Sequence, residues 1–240
     1  MFHRRNEAEY SARNYFHWFL LAFLSGCVNA GGYLACHRFV SHVTGFATLF
    51  GISLAQGKVD AAVGIMTVPA YFLFGVMISA YLVDKREHEG KHPHYATVML
   101  LVFACLMLVA VGGHYGFFSP FDGELRLKRD YFMLALLCMA SGLQNAAVTT
   151  ATGARVRTTH LTGITTDLGL GLVRQHHHGI SDSLRLKERK ANRLRVGTIA
   201  AFAIGSAVSA AIFMELKFLG FLLPAALALY AALVAKQDRH

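Results

Sequence analysis

Residues 141–167 read SGLQNAAVTTATGARVRTTHLTGITTD, an apolar stretch that breaks into Asn, Thr, Arg, His and Asp and then resumes. Residues 25–56 follow the same plan: Ser25-Gly26 and Asn29-Ala30 answer Ser141-Gly142 and Asn145-Ala146, and His42-Val43-Thr44-Gly45 answers His160-Leu161-Thr162-Gly163. From Asn to His the spacing is 13 in the first copy and 15 in the second, so one small gap aligns them. The match continues downstream, where FGVMISA (74–80) aligns with IGSAVSA (204–210), pairing Gly75 with Gly205 and Ser79 with Ser209. Small residues are common in membrane helices, but their recurrence in the same order after two Asn...His-x-Thr-Gly patterns predicts an internal duplication.

Composition fixes the class around this pattern. With 55% hydrophobic residues and 15% charged in 240, at a mean hydropathy of +0.42, the chain reads as a polytopic membrane protein. Eight apolar segments are expected, over 15–35, 39–56, 61–83, 95–115, 131–152, 158–173, 196–214 and 218–235. The fold expected is all-α: a single membrane domain, 1–240, holding repeat 1 over about 14–115 and repeat 2 over about 130–236, with four segments each. Since a bilayer core about 30 Å thick needs roughly 20 helical residues, the second, sixth and eighth segments are marginal, and between six and eight full spans are expected.

If all eight segments span, the repeats are parallel; if the second and sixth enter and return on one face, they are inverted. In either arrangement the side of the amino terminus holds more than twice as many of the 23 Lys and Arg as the other, which places both termini in the cytoplasm. The stretch 174–195, with seven basic residues and the adjacent histidines 176–178, is read as a solvated cytoplasmic loop rather than a metal site. A net charge of +9 does not point to nucleic acid, because the basic residues crowd between apolar runs as interfacial anchors. The four cysteines show no CxxC spacing and read as packing residues. The opening MFHRRNEAEYSARN carries no small-residue cleavage site, so the first helix is expected to be retained.

Asn29 and Asn145 lie in otherwise apolar helices, where an unpaired carboxamide costs several kcal/mol, so each is expected to find a partner. Ala30-Gly31-Gly32 is expected to loosen the first helix. His42 and His160 fall at the starts of the second and sixth segments, where free amides favour an anionic group, and Thr44 and Thr162 follow them. Asp167, seven positions after His160, shares its helix face and is a carboxylate at membrane depth, while its counterpart in the first copy is Leu49. Arg157 reads equally as an anion ligand or an interfacial anchor.

At these motifs the chain resembles a known family. AFLSGCVNAGGYLACHRFVSHVTGFATLFG (22–51), followed by SGLQNAAVTTATGARVRTTHLTG (141–163), is similar to the YoaK-like family of uncharacterised bacterial multi-pass inner-membrane proteins. The resemblance implies that membrane as the location. Members commonly carry Asp where this chain has Asn29, and Asn where it has Phe46, which argues against proton coupling in the first copy.

Three functions compete. The expected one is a transporter or channel for a small polar or zwitterionic solute, with Asn29, His42, Thr44, Asn145, Arg157, His160, Thr162 and Asp167 as binding residues where the two signatures meet. Its partners are then the lipid bilayer and the solute, and it needs no cofactor. A membrane enzyme with His42, His160 and Asp167 on a metal lacks any HExxH, GxSxG or Walker pattern, so the chain is read as not an enzyme. In the third, a non-transporting scaffold or sensor, the polar pairs only lock helix packing. The small-residue faces around Gly75, Ser79, Gly205 and Ser209 can pack within one chain or between chains of a homo-oligomer.

Overall fold

The computed structural model describes residues 11–123, 125, 128–153, 158–177, 179 and 181–237. They form α1 (Ala12–Cys36), α2 (Val43–Ala55), α3 (Val59–Leu82), the short α4 (Asp84–His88), α5 (Tyr95–His114), α6 (Lys128–Ala151), α7 (Leu161–His176), α8 (Asp182–Leu216) and α9 (Leu222–Gln237), with a 3-10 turn over Lys217–Phe221 between the last two. The chain is a multi-pass membrane protein: Ala12–Cys36, Val59–His88, Tyr95–His114, Lys128–Ala151 and Asp182–Gln237, the last containing both α8 and α9, are long and apolar enough to cross a bilayer. At about 1.5 Å per residue, α2 extends about 20 Å and α7 about 24 Å, short of the roughly 30 Å core.

Helix ends sort to two ends of the bundle. At one, Arg38 beyond α1, Asp60 in α3 and Tyr131 in α6 share a small cavity, and Phe118 beyond α5 meets Phe218 beyond α8 at 6.2 Å. At the other, the Tyr15 hydroxyl of α1 donates to the Lys190 carbonyl of α8 (3.2 Å), and the His94 amide before α5 donates to Leu82 at the end of α3 (3.0 Å). So α1, α5 and α8 run one way, while α3 and α6 run the other.

Glycine sets how closely these helices approach. α1 packs on α8 and α3 on α6. A Cβ added at Gly26 would run into the Phe202 carbonyl, and one at Gly205 into the Phe23 carbonyl; likewise Gly142 faces the Phe72 carbonyl and Gly75 the Met139 carbonyl. Each crossing therefore has a glycine on both helices, main chain against main chain, as small-residue membrane contacts allow. Polar side chains tie the first crossing: Ser206 Oγ donates to the Gly26 carbonyl at 3.2 Å and Cys27 Sγ to the Gly205 carbonyl at 3.4 Å. These small-residue faces are consumed inside one chain rather than offered to another.

Elsewhere α9 packs on α5; its buried residues include Ala225, Ala228, Ala231, Ala232 and Ala235, and those of α5 the bulkier Val98, Met99, Val102, Leu106 and Val109. Gln144, buried in α6, donates from Nε2 to the Leu21 carbonyl of α1 at 2.7 Å, a polar tie worth about 1 kcal/mol. Asp130 at the start of α6 accepts from the Ser119 amide (2.8 Å) and hydroxyl (2.7 Å), fixing the connection that leaves α5.

Two expectations need correction. Gly31 and Gly32 do not loosen α1, which runs unbroken to Cys36; Gly31 makes room for the Phe213 and Phe221 rings and Gly32 for Val40. The basic stretch 174–195 is largely helical, since α8 begins at Asp182 with its Ser181 cap accepting from the Leu184 amide (3.4 Å). His178 lies outside the described residues.

The glycine contacts predict a position-specific response. Gly142→Val opposes a main-chain carbonyl that cannot give way, and should lower stability by at least the roughly 1–3 kcal/mol typical of overpacking. Gly51→Ala, with nothing within 4 Å of its added carbon, should be unchanged or slightly more stable. Thermal unfolding of both variants in one detergent measures this, and equal melting temperatures would remove the close-approach argument.

Candidate functional site

α1 ends at His37, whose backbone takes a left-handed turn (φ 53°), and the chain doubles back over residues 38–42 before α2 begins. His42 is the residue before α2 and His160 the residue before α7. Each gives its carbonyl to the first helical bond, from the Phe46 amide at 3.4 Å and the Ile164 amide at 3.2 Å. Neither His42 nor His160 caps its helix with its side chain, so among the described residues the first-turn amides are free of side-chain partners.

The glycine of each His-x-Thr-Gly motif now has a physical reason. The His42 ring lies over Gly45, where a Cβ would stand 2.8 Å from Nδ1, and the His160 ring lies over Gly163 in the same manner. Any other residue would push the imidazole off the first turn. One turn later Thr48 Oγ1 donates to the Thr44 carbonyl (3.3 Å) and Thr166 Oγ1 to the Thr162 carbonyl (3.1 Å), so it is these threonines that bond back to the helix.

The two helix starts converge on one cavity of about 390 Å³. Ser41, His42, Val43 and Thr44 line it from the first motif, Thr159, His160, Leu161 and Thr162 from the second, with Phe72 of α3 and Asn145 and Thr149 of α6 completing the wall. Phe72 sits near the middle of Val59–Leu82, so the cavity lies at mid-height in the bundle. From there α2 leads to one end, where α3 begins, and α7 to the other, where α8 begins.

The two asparagines differ. Asn29 Oδ1 accepts from the Ser41 hydroxyl at 3.1 Å, which ties α1 to the cavity wall. Asn145 Oδ1 is buried with no partner among the described residues, and the Thr149 hydroxyl donates to the Asn145 main-chain carbonyl at 2.7 Å. Among the described residues, then, Asn29 has a protein partner for its carboxamide oxygen and Asn145 has none. The Thr158 hydroxyl, fully buried before the second helix start, is likewise unpartnered.

Of the expected residues, His42, Thr44, Asn145, His160 and Thr162 line the cavity, and Asn29 reaches it through Ser41. Asp167 does not: it is exposed on α7, outside the lining, and makes no ion pair among the described residues. Arg157, with Arg155, lies outside the described residues. Among the described residues no three His, Cys, Asp or Glu side chains are grouped to hold a metal.

Ser41, Phe72, Thr149 and Thr159 join the site without having been singled out. Ser41 and Thr159 each precede the motif histidine, and Thr149 stands one turn beyond Asn145, so three of the four left a readable signal. Phe72 left none.

His42 also walls a second, smaller cavity of about 140 Å³ with Tyr33, His37, Arg38, Phe39, Gly45, Phe46 and Leu49. The Tyr33 and Phe39 rings stack there at 4.6 Å and 20°. α7 is held at its far end by a polar clamp on α8: Asn192 Nδ2 to Gln175 (3.4 Å), Arg195 to Asn192 (2.6 Å) and to Glu188 (3.4 Å), and Arg174 to Glu188 (3.8 Å). Gly171 clears the space for that clamp.

A family model described as a protein of unknown function, DUF1275, matches residues 17–235. No curated protein and no solved structure matches the chain.

The asparagine contrast is open to measurement. Asn29→Leu leaves Ser41 without its acceptor and should destabilise by about 1 kcal/mol or more. Asn145→Leu removes an unpaired buried acceptor, whose burial costs about 1–3 kcal/mol, and should be neutral or stabilising in the absence of solute. Two comparable losses in a thermal melt would mean that Asn145 has a structural partner after all.

Proposed function

The chain belongs to the DUF1275 family, and from its site we propose that it carries a small polar or zwitterionic solute across the membrane through the cavity between α2 and α7. One observation carries the reading: two uncapped helix starts open into one cavity whose remaining wall presents an unpaired carboxamide oxygen. Helix starts offer free N–H groups and the positive end of the dipole, which suit a carboxylate or comparable anionic group. Asn145 Oδ1 suits a donor such as an ammonium or hydroxyl on the same solute. Short helices meeting at mid-height between related repeats are the architecture in which membrane carriers place such sites.

The proposal includes an inverted duplication, with α1, α2, α3 and α5 related to α6, α7, α8 and α9. It is supported by matching contacts that the sequence alignment pairs: Gly26–Phe202 with Gly142–Phe72, Gly205–Phe23 with Gly75–Met139, and each motif histidine over its own glycine. Corresponding helices then run in opposite directions through six crossings, with α2 and α7 each reaching halfway. Positive charge favours the end holding the amino terminus as cytoplasmic, and the family resemblance favours a bacterial inner membrane.

The stacked Tyr33 and Phe39 serve as the constriction between the cavity and the end of the bundle where α1 finishes, with His42 as the shared wall. The scaffold reading keeps one observation on its side, the satisfied Asn29–Ser41 pair, which needs no solute.

The test is a thermal-stability screen of detergent-purified protein against small amino acids, hydroxy acids and inorganic anions, followed by flux into vesicles. A true solute at a hundredfold excess over its dissociation constant should stabilise the parent by about 2.7 kcal/mol. Asn145→Leu and His160→Ala should lose that gain, whereas Asp167→Asn, outside the lining, should keep it. If no solute shifts the parent, or if the gain survives both cavity variants, the site assignment fails.

A further inference from the structure

A cavity of about 700 Å³ opens at the end of the bundle opposite the amino terminus, between the α5–α6 connection and the turn from α8 to α9. Phe118, Phe121 and Phe218 form its inner wall, with Phe121 edge-on to Phe218 at 5.1 Å and Phe118 tilted to it at 6.2 Å. Gly113 admits the Phe218 ring at the end of α5, since a Cβ there would run into it. Two cations from separate elements line the same space: Arg129 in the first turn of α6 and Lys217 directly after α8.

The fold itself does not call for either cation. Both are exposed and make no ion pair among the described residues, and no described carboxylate lines the cavity. The neighbouring Asp130 is turned to the Ser119 amide and hydroxyl. An arginine in the first turn of a helix stands at the positive end of the dipole, where a carboxylate is the favoured charge. Lys217 has φ 51° and ψ −126°, a backbone conformation that glycine adopts freely and other residues rarely do. Nor do the two belong to the basic side that orients the chain, because the side of the amino terminus holds the larger share of Lys and Arg.

The surroundings are those of a membrane interface. α5 has 20 residues, about 30 Å of helix, so its end at His114 falls at the edge of the hydrocarbon. Tyr115, 81% exposed, and Phe117 follow it as interfacial aromatic anchors do. Leu216 and Leu222 are exposed on either side of Lys217 and Phe218. A cationic rim therefore adjoins apolar surface that faces lipid. The α5–α6 connection leaves the cavity after Phe121: Asp122 turns to His37 at 3.3 Å, and Leu125 lies in the separate cavity with Arg38 and Asp60.

We propose that this cavity binds the headgroup of an anionic phospholipid, with the phosphodiester between Arg129 and Lys217 and the upper acyl chains beside Leu216 and Leu222. Charge-assisted bonds from a guanidinium and an ammonium suit a phosphate, and two unpaired cations select a headgroup of net negative charge over one that carries its own ammonium. A lipid seated there ties the start of α6 to the turn between α8 and α9.

Native mass spectrometry of the full chain in detergent, titrated with dilauroyl phosphatidylglycerol, dilauroyl phosphatidylcholine or inorganic phosphate, tests this. Phosphatidylglycerol should bind about fivefold or more tighter than phosphatidylcholine, and inorganic phosphate should not displace it. Arg129→Gln and Lys217→Gln should each weaken phosphatidylglycerol about fivefold, the contribution of one basic residue near an anionic surface. Lys217→Arg should keep most of the affinity, and Lys236→Gln, exposed at the end of α9, should keep all of it. Lys217→Gly separates binding from folding: without lipid it should melt above the parent, because the backbone is relieved, yet it should lose the phosphatidylglycerol affinity. Equal affinity for the two lipids, or unchanged phosphatidylglycerol binding in both Gln variants, would overturn the inference. Inorganic phosphate that binds as tightly as the lipid would also overturn it, since the site would then serve a free anion.

Discussion

The first turn of an α-helix presents N–H groups that the helix cannot satisfy, and a bilayer interior holds nothing else that can. A membrane chain normally starts its helices in water. On the proposed placement in the membrane, this one starts α2 and α7 beside Phe72, at mid-height of the bundle, and neither His42 nor His160 caps its helix with its side chain. Everything around the two starts follows from that constraint. The starts face a common cavity in which hydroxyls at Ser41, Thr44, Thr149, Thr159 and Thr162 gather beside the apolar Val43, Phe72 and Leu161, and the motif glycines let each imidazole fold over its own first turn.

Such a site needs rigid support, because the short helices are covered on one side only. The support comes from the two glycine crossings. With Gly26 of α1 facing α8, Gly205 of α8 facing α1, Gly142 of α6 facing α3 and Gly75 of α3 facing α6, main chains touch, and the depth at which α1 meets α8 and α3 meets α6 is fixed by carbonyl oxygens rather than by adjustable side chains. α2 then rides on α3 and α7 on α8. Gln175 and Arg174 of α7 meet Asn192 and Glu188 of α8, which fixes α7 at its far end.

Much of this was legible in the sequence for a plain reason: the elements are long and apolar, so hydropathy marked α1, α3, α5 and α6, and the doubled His-x-Thr-Gly marked the two helix starts. What sequence could not give is which neighbour a small or polar residue meets. Gly31-Gly32 reads as a weak point in a helix, yet here it admits Phe213, Phe221 and Val40, residues distant in sequence or beyond a turn. Asp167 lies on the same helix as His160, but two turns along a helix that leaves the cavity carry it away from the lining. Phe72 joins the site only because α3 crosses α6 at Gly142, a contact that no local pattern announces. Helical α8 extends into the basic stretch because helix can continue past the apolar segment wherever charged residues are solvated and a cap such as Ser181 ends it.

On the proposed duplication, the two halves have drifted apart in a way that bears on the chemistry. The first copy closes on itself: Ser41 satisfies Asn29, Leu49 stands where the second copy has Asp167, and Tyr33 stacks on Phe39 beside His42. The second copy stays open. Thr159 occupies the place of Ser41, yet Asn145 Oδ1 remains unpaired, and Thr149 stands where the first copy has Tyr33. A buried unpaired acceptor weakens the resting protein, and on the proposed function a donor on the solute supplies its partner. On the proposed function, the asymmetry divides the labour within one cavity: the first motif gives a self-satisfied wall and a constriction, and the second gives the groups that a solute would complete.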